Sequence, residues 1–496
     1  MSAIELATKT GSPFNDLNAY NQSLKTGYRL LPFKFIRLDD KRMVLTNEVG
    51  EFLVIEQDYL RAIVNKSIEA GSQLYNNLKS KHFLIDDDSS IALELLAMKS
   101  RTKMQQISNF TGLHIFVVSL RCDHSCPYCQ VSRQSEDKLA FDMSNDTAIK
   151  CLEFTFRSPS PSIKIEFQGG EPLLNFDLIK FIVIEAEKKN EVHNKDLEFV
   201  IATNLALLTD EILSFCLEHR IYLSTSLDGP EDLHVANRPR PGADSYQRVI
   251  QGINRARAIL GPDKVSALMT TTAASLTRAK NIVDEYLLQG FNSIFLRPLS
   301  PYGFAVKTKW YQSYDIQNWL KFYFEGLDYI INLNKQGYFF VEQYAAIILN
   351  KMFSPQGTGY VDLQSPAGLG ISAILFNYNA EVYASDEARM LAEMGDKTFC
   401  LGNINQHTYE QIMLSEALLN PIEQSIVESV PGCNDCGFQP YCGSDPIYHH
   451  ATQKDSIGHK ALSGFCKKNM AIMRRLICLM EDDPQAKQIL LNWAKP

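Results

Sequence analysis

The sequence has no apolar run long enough to cross a membrane, and its first thirty residues lack the basic start and apolar centre of a secretory signal. It also lacks a basic excess, since 49 Lys and Arg stand against 57 Asp and Glu, a formal net charge of −8. Nucleic acids and anionic lipid surfaces favour a basic protein face. We therefore expect neither nucleic acid nor a membrane as a partner, and we expect a cytoplasmic protein.

Disulfides are disfavoured in a reducing compartment, so the eleven cysteines of this chain need another explanation. Three of them lie within eight residues: Cys122, Cys126 and Cys129. Four lie near the C-terminal end: Cys433, Cys436, Cys442 and Cys466. We interpret the remaining four as small hydrophobic residues packed in cores: Cys151, Cys216, Cys400 and Cys478.

A length of 496 residues predicts about three folded regions, at roughly 150 residues each. Residues 1–27 are polar and are expected to be a disordered tail. Residues 28–110 read as a small α+β domain followed by a charged helical connector. Residues 111–304 alternate between strand and helix patterns. Residues 305–496 begin with a long amphipathic helix and continue through a predicted hairpin at 373–383 to the last cysteines.

Six predicted strands alternate with helices in the middle region, at 114–120, 163–167, 197–203, 222–226, 265–271 and 293–297. Consecutive βα units indicate a parallel sheet that closes fully or partly into a barrel. The predicted fold class is thus α/β, with six βα units in a barrel that is open or closed. In such a barrel the chemistry collects at the C-terminal ends of the strands.

The first cysteine group follows the first of these strands. Three thiolates on one tight loop can hold three corners of a [4Fe–4S] cluster and leave the fourth iron open to a ligand. Zinc is the alternative, with a fourth ligand such as His124. Spacing alone leaves both possibilities open.

Polar and glycine-rich motifs follow the next strands. Gly169, Gly170 and Glu171 lie in a Gly-Gly-Glu-Pro turn after the second strand, where glycine lets the backbone approach a ligand and the carboxylate can meet an ammonium group. Further polar side chains follow the third and fourth strands: Thr203, Asn204, Ser226, Asp228 and Arg238.

Together, the Cys-x3-Cys-x2-Cys, Gly-Gly-Glu-Pro and Ser-x-Asp-Gly-Pro motifs resemble those of the radical S-adenosylmethionine (SAM) enzymes, over about 111–300. The resemblance implies a partial (β/α)6 barrel of the TIM type. It also implies that SAM chelates the open iron and is cleaved to a 5′-deoxyadenosyl radical that abstracts a substrate hydrogen. It implies that Gly169, Gly170 and Glu171 hold the methionyl ammonium, and that Tyr128 lies against the adenine. Ser226 and Arg238 would contact the ribose and carboxylate, and Thr203, Asn204 and Asp228 complete the implied cofactor site.

The second cysteine group supplies four ligands, enough to close a cluster or a zinc site. Its spacing resembles the SPASM extension of peptide maturases, and the match implies one auxiliary [4Fe–4S] cluster. Ser385 and Pro446 stand where that family has cysteines, so a second auxiliary cluster is expected to be missing. Asp386 matches a proton-accepting acid of the sulfatase-maturing branch and is our candidate base; the alternative is a surface carboxylate in a turn. His449 and its neighbour His450 are interpreted as a solvated polar loop.

Residues 33–84 loosely resemble the small winged-helix domains that recognise leader peptides by adding them as a strand. The wider layout looks like the maturase of the His-Xaa-Ser peptide system. The implied function is oxidative cross-linking or desaturation of a ribosomally made precursor peptide, with a flavodoxin-like or ferredoxin-like protein as electron donor. Two alternatives remain open: a sulfatase-type maturase that oxidises Cys or Ser, and a non-catalytic zinc-binding interaction protein.

Overall fold

The computed structural model describes residues 27–494, apart from 90, 355, 356 and 358 and the side chain of 106. The tail expected at 1–27 lies outside this range except for its last residue. The chain divides into two compact units, Met1–Ser100 and Arg101–Pro496. The predicted barrel and C-terminal region thus fall in one unit, and the border between them at 304 and 305 stays a prediction.

The smaller unit combines short strands with helices. Its elements are β1 (Tyr28–Leu30), β2 (Phe33–Arg37), β3 (Arg42–Asn47), β4 (Phe52–Glu56), α1 (Gln57–Val64), α2 (Gln73–Ser80) and β5 (Leu84–Asp86). The connector helix α3 (Ala92–Met104) follows. β2, β3 and β4 form an antiparallel sheet in that order, and β1 pairs with β5. The α+β prediction for this region is therefore confirmed.

Local sequence explains the turn between β3 and β4. The Asn47 side chain accepts hydrogen bonds from the backbone N–H groups of Val49 and Glu51, and Gly50 takes a φ of +80° that suits glycine. Alternate residues of these strands then face one core, in which Leu45 is fully buried beside Ile63 of α1.

The larger unit contains the remaining ten strands. They are β6 (Leu113–Ser119), β7 (Ser162–Gly169), β8 (Asp196–Ala202), β9 (Tyr222–Ser226), β10 (Val265–Leu268), β11 (Ser293–Ile294), β12 (Val341–Glu342), β13 (Ala373–Phe376), β14 (Glu381–Tyr383) and β15 (Cys400–Asn403). Eight of them form one sheet in the order β10-β9-β8-β7-β6-β13-β14-β15. Pairing is parallel from β10 to β13 and antiparallel beyond. The predicted α/β class with a partial barrel is confirmed.

Helices connect the parallel strands and complete the unit. They are α4 (Lys138–Phe141), α5 (Asn145–Thr155), α6 (Phe176–His193), α7 (Asp210–Glu218), α8 (Glu231–Asn237), α9 (Ser245–Leu260), α10 (Ala279–Leu288), α11 (Phe304–Lys307), α12 (Ile316–Lys335), α13 (Gln343–Phe353), α14 (Asp386–Ala392), α15 (Tyr409–Met413), α16 (Glu416–Glu423), α17 (Pro446–Gln453), α18 (Gly464–Asp482) and α19 (Pro484–Trp493). Side-chain caps fix several starts: Ser144, Thr209 and Asp315 each accept a hydrogen bond from the first turn of their helix. None of the described helices is both long and apolar enough to span a membrane.

The sixth predicted strand, at 293–297, does not join the main sheet. It shortens to β11, which pairs with β12 in a separate two-stranded sheet. In this segment the Leu296 N–H donates to the buried Glu342 carboxylate, while the Arg297 carbonyl accepts from the Thr271 N–H beyond the end of β10. The other edge is extended instead, because β13 from the C-terminal region pairs in parallel with β6.

The prediction of a solvated loop at His449 and His450 is wrong. Both residues lie on α17, and His449 is buried with its Nε2 2.8 Å from the Ser463 hydroxyl. His450 Nε2 lies 2.8 Å from an Asp396 carboxylate oxygen. The two side chains serve packing and hydrogen bonding around the helix.

Candidate active site

The loop after β6 carries the first three cysteines and is held at several points. Arg121 makes two 2.7 Å contacts with the Asp142 carboxylate and donates to the Leu174 carbonyl. Farther along, the Phe304 N–H donates to the Cys129 carbonyl over 2.7 Å. Bidentate pairing of a buried guanidinium fixes both position and orientation, so the loop is anchored at its start and at its last cysteine.

Gly303 explains how the chain approaches this loop so closely. Its φ is +61° and its ψ −140°, a region that only glycine occupies readily. A Cβ at this position would lie 2.3 Å from the Gln130 carbonyl oxygen and 2.7 Å from that of Cys129. No motif in the sequence indicated this role.

A cavity of about 230 Å³ lies at the C-terminal ends of the parallel strands, where barrel chemistry is expected. All three cysteines of the loop line it. So do most of the predicted cofactor residues: Tyr128, Gly169, Gly170, Thr203, Asn204, Ser226 and Arg238. The topology therefore brings motifs from four strand ends to one cavity.

The thiols are not gathered as closely as the ligands of a single zinc ion. In the described part of the chain, no three of the seven thiol sulfurs in the two groups lie within 4.8 Å of one another. A tetrahedral zinc site, with Zn–S bonds of about 2.3 Å, holds its sulfurs roughly 3.8 Å apart. Burial raises the pKa of Cys126 to about 12, so the thiol keeps its proton until a metal displaces it.

The zinc alternative named His124 as an example of a fourth ligand, and this side chain has other partners. Its Nδ1 lies 2.9 Å from Asp123 Oδ1 and 2.9 Å from the Asn204 amide nitrogen. Ligand atoms of Cys122, Asp123 and His124 do lie within 4.8 Å of one another. This set leaves out two of the three loop cysteines, so it does not account for the motif.

The Glu171 side chain already has partners within the protein. Its carboxylate is fully buried and accepts hydrogen bonds from the Leu173 N–H at 3.0 Å, the Thr203 hydroxyl at 2.6 Å and the Asn204 N–H at 2.8 Å. It does not line the cavity, whereas Gly169 and Gly170 do. Glu171 therefore ties the end of β7 to the residues after β8, and its contact with a methionyl ammonium group stays a prediction.

Asp228 likewise acts on the cavity through residues that line it. It is fully buried, accepts a 2.6 Å hydrogen bond from the Tyr128 hydroxyl, and pairs with Arg238 Nε at 3.1 Å. The Arg238 guanidinium also lies over the Tyr128 ring, 5.5 Å from its centre. Asp228 thus orients two side chains that line the cavity, although it does not line the cavity itself.

Asp386 lines the same cavity as the three cysteines. It is the first residue of α14, and one of its oxygens lies 3.2 Å from Arg389 Nη2. Arg389 is 1% exposed and also donates to the Val131 carbonyl in the cysteine loop. Ser385 caps this helix by accepting a hydrogen bond from the Ala388 N–H.

Sequence reasoning missed two charged residues of this cavity, Glu166 and Arg297. Glu166 lies on β7, where burial raises its pKa and the nearby Asp386 charge adds to the shift. Arg297 ends the segment predicted as the sixth strand, so the rule that chemistry follows strand ends could have found it. Glu166 carried no such signal, because it lies inside a strand.

The second cysteine group also forms a neighbourhood of thiols. Burial raises the pKa of Cys466 to about 12, and the nearby thiols of Cys442, Cys436 and Cys433 add to the shift. The Lys351 ammonium donates to the Cys442 carbonyl over 2.6 Å. Four such residues can supply every ligand of one [4Fe–4S] cluster.

The family model described as the Radical SAM superfamily matches residues 116–272. The radical SAM cyclopropyl synthase TigE of Paramaledivibacter caminithermalis is 26% identical over 45% of this chain and 46% of its own length. An uncharacterised protein of Methanothermobacter thermautotrophicus is 31% identical over 38% of this chain and 69% of its own. A cysteine-type anaerobic sulfatase-maturating enzyme of Clostridium novyi is 22% identical over 71% and 93%. The match thus spans about half the length of TigE.

Solved structures share the fold. The chain superposes on anSMEcpe with bound AdoMet with a TM-score of 0.61 and 17% identity, over 77% of this chain and 99% of the other. It superposes on Streptococcus suis SuiB bound to the precursor peptide SuiA with a TM-score of 0.51 and 14% identity, over 88% and 98%. The superfamily match covers the strands that form the cavity, and this chain belongs to the radical SAM superfamily, whose enzymes use a [4Fe–4S] cluster and S-adenosylmethionine.

Proposed function

We propose that this chain is a peptide-modifying radical SAM enzyme that oxidises a side chain of a ribosomally made precursor peptide. One observation carries the proposal: Asp386, from the C-terminal region, lines the same cavity as Cys122, Cys126 and Cys129 from the barrel loop. A cavity that joins a three-thiol loop to a carboxylate has the parts for hydrogen abstraction followed by proton removal.

In this proposal the three loop thiolates hold a [4Fe–4S] cluster with one open iron. When bound, the cluster and SAM supply a 5′-deoxyadenosyl radical that removes a hydrogen atom from the substrate. Gly169 and Gly170 offer backbone groups to the methionyl end of SAM. Side chains from the other strand ends complete the cofactor site: Tyr128, Thr203, Asn204, Ser226 and Arg238.

Asp386 is the proposed general base. It faces the cavity and is held by Arg389, so its oxygens are aimed before substrate arrives. The four C-terminal cysteines, Cys433, Cys436, Cys442 and Cys466, would hold one auxiliary cluster that accepts the second electron of the oxidation. Helix starts occupy the positions of two further family cysteines, which supports a single auxiliary cluster.

The smaller unit is proposed to bind the leader of the precursor. β2 is an edge strand of its three-stranded sheet, so an extended leader can add beside it through backbone hydrogen bonds. SuiB, which shares the fold, was solved with its precursor peptide SuiA. A flavodoxin-like or ferredoxin-like protein is the proposed electron donor, and a His-Xaa-Ser precursor remains our proposed substrate type.

Anaerobic mass spectrometry of peptides encoded beside this chain tests the assignment. Reconstituted enzyme should change the mass of one such peptide, and Asp386→Asn should lower product formation by at least roughly a hundredfold while SAM cleavage continues. Glu166→Gln is the matched control, because it removes the other carboxylate of the same cavity. If Glu166→Gln abolishes product and Asp386→Asn does not, the base is Glu166.

A sulfatase-type maturase is the second candidate. It is favoured by the Clostridium novyi relative, of which the match covers 93%. A short peptide with a sulfatase-type Cys or Ser, supplied in the same assay, separates the two functions. Oxidation of that peptide, with no change in any precursor, would replace the first proposal with the second.

A further inference from the structure

A second cavity, of about 390 Å³, lies beside the candidate active site. Arg297 lines both cavities, and the neighbouring residues Asp386 and Glu387 each line one of them. The two cavities therefore adjoin at Arg297 and at the Asp386–Glu387 pair. Nothing in the proposed function uses it.

Charged side chains of both signs line this second cavity without forming close ion pairs. Four carboxylates and three cations line it: Asp315, Asp362, Glu387, Asp445, Arg297, Lys467 and Lys468. None of the seven forms an ion pair within 4.0 Å in the part of the chain that the structure describes. The Lys468 ammonium lies instead over aromatic rings, the nearer 4.6 Å from its centre. The inner wall thus carries an excess of negative charge.

The carboxylates also disfavour one another. Burial raises the pKa of Glu387 to about 7, and the charges of Asp362 and Asp386 add to the shift. The pKa of Asp445 is raised by burial and then by Asp362 and Glu387. Carboxylates gathered in a partly buried space gain from a cation that enters it, because each then interacts with an opposite charge.

A buried hydroxyl provides independent support for a ligand here. Tyr302 lines the cavity, is 1% exposed, and its hydroxyl has no hydrogen-bond partner among the described residues. Buried polar groups are nearly always paired, and an unpaired one costs about 1–3 kcal/mol. Burial raises the pKa of this hydroxyl, and the charges of Asp445, Glu387 and Asp362, which line the same cavity, add to the shift.

Aromatic rings form much of the remaining wall. Rings from several segments line it: Phe295, Tyr311, Tyr314, Tyr360, Tyr448 and Phe465. Aromatic faces attract cations, and the flat guanidinium group stacks on them especially well. A cavity with carboxylates, a free hydroxyl and ring faces therefore matches a guanidinium or alkylammonium group.

We propose that this second cavity binds a cationic side chain, arginine or lysine, of the peptide substrate, with Asp362, Glu387 and Asp445 as the countercharge and the Tyr302 hydroxyl as a hydrogen-bond acceptor. The inference rests on the proposed function for its substrate. It places the cationic residue within a few positions of the residue that is modified, since an extended peptide advances only about 3.3 Å per residue.

A binding assay without turnover tests it. Anaerobically reconstituted full-length enzyme is titrated with Nα-acetyl-arginine amide and with its neutral isostere Nα-acetyl-citrulline amide, and the affinities are compared by calorimetry or ligand-observed NMR. The arginine compound should bind at least about tenfold more tightly. The same comparison with lysine amide and Nε-acetyl-lysine amide shows whether the cavity prefers arginine or lysine.

Variants test whether the arginine compound binds in the second cavity. Asp362→Asn and Glu387→Gln should each reduce the preference for arginine severalfold, and Tyr302→Phe should weaken it while keeping the ring. Glu191→Gln, in a groove elsewhere in the larger unit, is the matched control and should leave the preference unchanged. Iron content and SAM cleavage report that each variant is folded.

Equal binding of arginine and citrulline compounds would overturn the inference. So would an arginine preference that survives in both carboxylate variants, because binding would then lie elsewhere. If Nα-acetyl-glutamate amide binds more tightly than the arginine compound, the site prefers an anion and the inference is also overturned. These outcomes are independent of peptide modification, so failure of the proposed function and failure of this site are distinguishable.

Discussion

Replacing Gly303 with alanine tests how the first cysteine loop is held. The new Cβ would meet the Gln130 carbonyl oxygen at 2.3 Å, whereas real contacts of this kind essentially never fall below 3.0 Å. The loop would have to retreat by about 0.7 Å, and the backbone conformation of Gly303 would be strained as well. Strain and overpacking together cost about 2–4 kcal/mol.

The displacement falls on the residues that carry Cys129, whose carbonyl accepts from the Phe304 N–H. Metal sites tolerate little misplacement of their ligands. We therefore expect the anaerobically reconstituted Gly303→Ala protein to lose the iron of the first cluster and keep that of the second. Iron would fall from about eight to about four per chain, and SAM cleavage would be lost.

The matched control is Gly337→Ala. Gly337 also has a positive φ, +93°, but no atom lies within 4 Å of the Cβ that alanine would add. It should lose some stability and keep its iron and its SAM cleavage. Iron assay, electron paramagnetic resonance of the reduced protein and 5′-deoxyadenosine formation are the measurements. Wild-type iron and cleavage in Gly303→Ala would refute the reasoning, and iron loss in both variants would indicate general instability.

Three further predictions concern the same unit. Cys126→Ala should remove about half the iron and all SAM cleavage, and a colourless zinc-containing wild type would contradict this. Asp228→Asn should raise the KM for SAM about tenfold with iron unchanged, because Tyr128 and Arg238 lose the carboxylate that orients them; an unchanged KM would contradict it. Burial raises the pKa of Glu171 to about 7, so its proton is held more tightly in the folded state and stability falls as pH rises from 4.5 towards 7. Between pH 6 and 8 the wild type should lose about 1 kcal/mol of unfolding free energy that Glu171→Gln does not lose, measured by denaturant titration; parallel losses would contradict it.

Much of the site could be predicted from strand ends. Cys122, Gly169, Thr203 and Ser226 were found because each follows a strand in a βα repeat, and parallel strands present those ends on one side of the sheet. The hairpin strands β13 and β14 were predicted at their observed bounds. The pairing of this hairpin with β6 was not predicted, because pairing between strands distant in sequence leaves no local pattern.

Other assignments depended on which way a side chain points. Glu171 is predicted as a ligand from its Gly-Gly-Glu-Pro turn, and only the structure shows that its carboxylate also accepts three hydrogen bonds within the protein. His449 reads as a polar loop residue, yet it lies buried on a helix. The type of a residue indicates which partners its side chain can bind, and the groups packed around it decide which partners it does bind.

The sequence by itself determined the spacing of the cysteines, the order of the βα units and the family, because these are local patterns with fixed periods. Only the tertiary structure decided that Asp386 faces the cysteine loop, that Arg297 joins two cavities, and that carboxylates from three distant segments line one cavity with Tyr302. The physical reason is that cavities form between segments far apart in the chain, where packing, and not spacing, sets which charges meet.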